Sequence, residues 1–265
     1  MSCTWRFILR ARYSTGCASF KCVVQQGPRG KESKCNYLGG YNLFLNDKYL
    51  LNSSLSFENG SCPQFPLTIK NEALAQLAAL EWSLSPFIKK DISTSRPLTS
   101  LLFRAQFLDS QNCAAEEFKK ILAFLPSDSI LSGQELLWCN EIKKFNSRFG
   151  VHISPSSGAL TPPSGLASQN GLRDVIKAIS DHVSCTLSSE SIAACEMAIR
   201  DFKSCVLGLN LAFGDSTVEE AIDAATLETR IQARKWGMLK DFHDFDISRL
   251  VSRARLASVV FEMCK

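Results

Sequence analysis

Asn71-Glu72-Ala73-Leu74-Ala75-Gln76-Leu77-Ala78-Ala79-Leu80-Glu81-Trp82 is where this chain changes its period. The stretch is rich in Ala and Leu and meets no breaker until Pro86, so it reads as a helix with Asn71 at its N-cap. Its apolar residues (Ala73, Leu74, Leu77, Ala78, Leu80 and Trp82) cover most of the circumference, as in a helix packed on more than one side. Trp82 is therefore expected to be a structural core residue.

Upstream, the pattern is that of short strands. Tyr41-Asn42-Leu43-Phe44-Leu45 leads into a turn at Asn46-Asp47 and a return strand from Lys48. Asn59-Gly60 makes a second turn, and Phe65-Pro66-Leu67-Thr68-Ile69 a further strand that Pro66 restricts to an edge or bulge. A modest antiparallel sheet follows.

Downstream, helices are expected from Pro97, over Ala114 to Phe124, over Gln134 to Phe149 and over Leu172 to Val183. Ser189 to Phe213 reads as one long helix, with Ile192, Cys195, Ile199, Phe202, Val206 and Leu209 on its apolar face. Ser216-Thr217-Val218-Glu219-Glu220 offers a capping box in two registers and opens a helix running to Trp236-Gly237. A last helix spans about Ile247 to Met263, and the Ser-, Pro- and Gly-rich residues 154–170 form a connection. The fold class is α+β: a small antiparallel β-rich N-terminal domain, residues 35–70, precedes a larger α-helical C-terminal domain, residues 71–265.

The 265 residues are 45% hydrophobic and 21% charged, an ordinary globular composition. No apolar run approaches the ~18–20 residues of a membrane span. Net charge is +4, but residues 1–31 hold Arg6, Arg10, Arg12, Lys21, Arg29 and Lys31 and no acid. The remaining 24 basic and 26 acidic residues leave −2, which disfavours a nucleic-acid binder. An acid-free, Arg-bearing, Ser-containing N-terminus reads as a mitochondrial targeting segment over residues 1–31, cleaved between Tyr13 and Glu32.

Chemistry-bearing motifs are scarce. Neither a G-x-S-x-G elbow, a P-loop nor a G-x-G-x-x-G turn is present, so no catalytic residue and no cofactor is assigned. The eleven cysteines form no C-x-x-C pair, and His152, His182 and His243 are isolated, so no metal site is expected. Cys195 and Cys205 read as reduced packing residues.

One stretch stands apart: Leu227-Glu228-Thr229-Arg230-Ile231-Gln232-Ala233-Arg234-Lys235-Trp236-Gly237. Glu228, Gln232 and Trp236 share one helical stripe. A carboxylate, an amide and an indole in line suit a protein interface. They also suit an internal network with Trp236 in the core, and spacing alone favours that second reading.

This stretch, with Ala221 before it and His243-Asp244 after, resembles the signature of the mitochondrial ATP synthase assembly chaperones specific for the α subunit of the catalytic head (the assembly factor 2 family). Gly39-Gly40-Tyr41, Leu43-Phe44-Leu45, Phe65-Pro66-Leu67, Leu74-Ala75 through Glu81-Trp82, Pro97-Leu98-Thr99-Ser100-Leu101 and Lys203-Ser204-Cys205-Val206-Leu207-Gly208-Leu209 match in order, from about Tyr37 to Phe261. The chain departs from the family at Leu51-Asn52-Ser53, usually Lys-Thr-Pro, and at Arg96, usually Met. The resemblance implies a monomeric matrix protein, not an enzyme, that holds the unassembled α subunit until β displaces it. Glu228, Gln232, Trp236, Arg96, Pro97, Leu98 and Thr99 would contact that partner, while Trp82 and Gly237 would be structural. The rival expectation is a mitochondrial hydrolase or transferase using Glu228 and His243.

Overall fold

A computed structural model describes residues 6–11, 20–26, 40–45, 48–49, 51–52, 65–84, 96–132, 136–156, 163–237 and 242–265. The turns expected at Asn46-Asp47 and Asn59-Gly60 lie outside these residues. The described chain is mostly helical, and its strand ladders are antiparallel.

Strands β1 (Arg6–Ala11), β2 (Phe20–Gln26), β3 (Tyr41–Leu45) and β4 (Lys48–Tyr49) pair in sequence order, and β7 (Thr68–Ile69) joins β3. A separate ladder pairs β5 (Leu51–Asn52) with β6 (Phe65–Pro66). The sheet thus begins before residue 35: Arg6–Ala11 and Phe20–Gln26, inside the leader-like segment, are strands, with Val23 opposite Phe44.

Nine α-helices follow among the described residues: α1 (Glu72–Leu84), α2 (Pro97–Gln111), α3 (Ala114–Leu122), α4 (Leu136–Phe149), α5 (Gln169–Thr186), α6 (Ser189–Phe202), α7 (Cys205–Phe213), α8 (Val218–Trp236) and α9 (Phe242–Met263). Two short 3-10 turns, Leu125–Ser127 and Ser129–Ser132, lie between α3 and α4.

The chain divides at Asn112, not at residue 70. One compact unit comprises residues 1–112 with 263–265, and the other comprises residues 113–262. The reason is burial. Helix α1 packs across β1, β2 and β3. Leu74, Ala75 and Ala78 of α1, Leu43 and Ile69 of the sheet, Leu67 between β6 and β7, and Leu98, Leu101 and Leu108 of α2 are all buried core residues of this unit. Helix α1 covers the sheet and α2 packs on β7 and on α1, so both helices belong with it. Asn71 caps α1 as expected, its Oδ1 accepting from the Ala73 N–H at 2.9 Å and the Leu74 N–H at 3.3 Å.

In the second unit the long helix expected over Ser189–Phe213 is two helices. Lys203 takes a left-handed conformation (φ 56°) and Ser204 caps α7, its Oγ accepting from the Leu207 N–H at 3.1 Å. The chain folds back there, and α6 lies so close to α7 that a Cβ on Gly208 would sit 2.4 Å from Ile199 Cγ1. The apolar periodicity continues across the break because both helices bury the same face. Every residue of α7 from Cys205 to Ala212 is buried, and α4, α6 and α8 pack around it.

Candidate functional site

Helix α8 begins on a capping box in the Thr217–Glu220 register. Thr217 Oγ1 accepts from the Glu220 N–H at 3.2 Å, and Glu220 Oε2 accepts from the Thr217 N–H at 2.9 Å. The Thr217 N–H and the Lys144 ammonium, 3.2 Å from Oε2, hold the Glu220 carboxyl below its ordinary range. The first half of the helix is anchored: Ala221, Ala224 and Thr226 are buried, and the Ala224 carbonyl accepts from Trp138 Nε1 at 2.9 Å.

From Leu227 onward no residue of α8 is buried. Glu228, Gln232 and Trp236 form one exposed stripe, tied by a 3.0 Å hydrogen bond from Gln232 Nε2 to Glu228 Oε1. Trp236 is 71% exposed, so it does not plug the core, and the internal-network reading of this stripe is corrected. An exposed indole offers a large apolar area and a hydrogen-bond donor that a partner can cover. Arg230 pairs with Asp223 at 3.4 Å, and the Lys235 ammonium lies 5.1 Å from the Trp236 ring centre. Gly237 ends the helix at φ 88°, its N–H donating to the Ala233 carbonyl at 2.9 Å, a conformation that disfavours a side chain. His243 lies in the first turn of α9.

The Arg96–Thr99 segment, in the other unit, behaves differently. Arg96, Leu98 and Thr99 are buried and Pro97 half-buried, so the surface role expected for the first three is corrected. They enclose Trp82, which is 1% exposed. Trp82 Nε1 donates to Thr99 Oγ1 at 3.0 Å, and that hydroxyl donates to Glu81 Oε2 at 2.6 Å. The two Glu81 oxygens also accept from the Leu98 and Thr99 N–H groups, each at 2.9 Å. Helix α2 has no side-chain cap of its own at Arg96, and the carboxylate of α1 supplies one. Desolvation lowers the Arg96 pKa, opposed by the Glu81 charge.

Two buried carboxylates escape sequence reasoning. Glu141 accepts from Asn210 Nδ2 and Lys144 Nζ, each at 2.9 Å, and from the Ser216 hydroxyl, joining α4, α7 and the entry to α8. Asp128 accepts from the Val206 N–H at 3.1 Å and the Ile130 N–H at 3.2 Å at the start of α7, and burial raises its pKa to about 6. Only their spacing from capping residues could have hinted at them. Burial also raises the thiol pKa values of Cys195 and Cys205, keeping both protonated. No group of three metal-ligating side chains occurs among the described residues.

No family model matches the chain. A curated relative, the mitochondrial protein Atp12 of Schizosaccharomyces pombe, is 28% identical over 218 residues, 72% of this chain and 70% of its own length. The fold is similar to that of Atp12 from Paracoccus denitrificans, at TM-score 0.59 and 18% identity over 97% of this chain and 98% of that one. It is also similar to the Atu1473 protein of Agrobacterium tumefaciens, at TM-score 0.64 and 20% identity over 97% and 87%. Both comparisons point toward Atp12-like proteins and away from the hydrolase or transferase alternative at Glu228 and His243. Over most of its length the chain is thus similar to Atp12 proteins, in sequence to that of S. pombe and in fold to that of P. denitrificans. The S. pombe relative is a mitochondrial protein, in keeping with the leader-like residues 1–31 of this chain.

Proposed function

We propose that this protein binds the unassembled α subunit of the ATP synthase catalytic head in the mitochondrial matrix, as a monomer, through Glu228, Gln232 and Trp236. The observation that carries the reading is the exposed half of α8, where a hydrogen-bonded Glu228–Gln232 pair adjoins a tryptophan left largely in water. An orphan α subunit exposes the apolar surface that later meets β, and aggregates unless that surface is covered. Cover of this kind needs no nucleotide: the chaperone holds by mass action and yields to the tighter final partner.

The test separates binding from folding. Glu228 is exposed and makes one i,i+4 contact, so Glu228→Lys is expected to lower stability by only about 0.5 kcal/mol. Capture of purified α subunit should fall by about 1.5–3 kcal/mol or more, since a desolvated carboxylate is replaced by the opposite charge. Unfolding of Glu228→Lys, or full capture with the fold intact, would sink this assignment.

A further inference from the structure

We infer that Arg234 and Lys235 are a second, charge-reading element of this docking surface, and that the α-subunit segment meeting the end of α8 is acidic, with carboxylates set beside a large apolar side chain. This rests on the α-subunit reading above and adds the chemistry of the epitope. The last ten residues of α8 extend for about 15 Å with no buried residue. Such a half-helix fits recognition by a partner's groove. Its three cations differ. Asp223 engages Arg230, by a 3.4 Å ion pair and by its backbone carbonyl, which accepts from Arg230 Nη2 at 2.7 Å. No ion pair among the described residues holds Arg234 or Lys235, and both are exposed. They immediately precede Trp236, so two unneutralised cations and an indole share one helix end.

Cations in a last turn also complement the helix dipole, which needs no partner. Binding kinetics distinguish the two roles. The full chain and its R234Q/K235Q variant are mixed with purified α subunit over a series of salt concentrations. The variant should fold normally, associate about tenfold more slowly at low salt, and show a shallower salt dependence than the parent. R230Q, altering the engaged cation, should keep the parent's salt dependence. Equal association rates and salt slopes for R234Q/K235Q and parent would overturn the inference, as would an equal loss in R230Q. A change in self-association of the chaperone alone would point to a second copy as the occupant and overturn it too. If R234Q/K235Q binds normally while Glu228→Lys does not, the α-subunit reading stands and this one falls. If the parent itself fails to bind, both fall.

Discussion

The guanidinium carbon of Arg96 sits 3.8 Å from the centre of the Trp82 ring, and neither side chain reaches solvent. A buried cation stacked on an indole makes this pocket intolerant of a second positive charge. Trp82→Arg would remove the ring, break the bond to Thr99 and set two guanidinium groups together. Its expected cost is about 3–5 kcal/mol or more, a large part of a domain's margin of ~5–15 kcal/mol. Thermal melts and soluble yield check this; a Trp82→Arg protein that melts normally would contradict it.

Glu81→Ala should unsettle α2 rather than α1. The substitution strips the acceptor from the Leu98 and Thr99 N–H groups and the Thr99 hydroxyl. A loss of about 3 kcal/mol is expected, and hydrogen exchange should rise first in residues 97–102. Protection unchanged there would show that α2 does not depend on this carboxylate.

Gly208→Ala is expected to destabilise the second unit by about 1–3 kcal/mol, because the new methyl meets Ile199 Cγ1 at 2.4 Å and the Ile199 backbone N at 3.1 Å. Denaturant midpoints measure the effect. A neutral result would mean that the α6–α7 pair can separate freely.

Asp128 gives the chain a pH dependence opposite to that of its capped carboxylates. Its carboxyl pKa is about 6 in the folded state against 3.8 ordinarily, so the folded chain binds the proton more tightly than the unfolded chain does. Its contribution therefore favours folding at low pH and is lost as pH rises from about 4 through 6, by up to roughly 3 kcal/mol. Melts from pH 5 to 7.5 should show this slope in the parent and its loss in Asp128→Asn. Parallel curves would exclude Asp128 as the source.

Residues 1–31 are expected to carry a reporter into mitochondria, since their six positive charges are unopposed. A cytosolic reporter would refute this. The N-terminus of the imported chain bears separately on the sheet: a start between Tyr13 and Glu32 would remove β1, and a start beyond Gln26 would remove β2 as well.

Much of the helical architecture was legible because it rests on local chemistry: Asn71, Pro97, Thr217 and Gly237 mark helix ends by means that a sequence displays. What escaped was non-local. The break at Lys203-Ser204 hides inside a continuous apolar period, because two helices packed on each other bury the residues that one long helix would. The Arg96–Thr99 segment looked like surface because a buried arginine is improbable until Trp82 and Glu81 are brought to it from another helix. The stripe of Glu228, Gln232 and Trp236 was visible as a pattern, but its exposure was not. Burial depends on what the rest of the chain leaves uncovered.

Asn71 also donates its side-chain amide to the Met263 carbonyl at 2.7 Å, and residues 263–265 belong to the N-terminal unit. The second unit is thus an insertion within the first. On a ribosome or in an import channel, the side-chain amide of Asn71 waits for an acceptor 192 positions away. The first unit to appear is therefore the last to be finished, and the inserted unit has time to fold before the seam is closed.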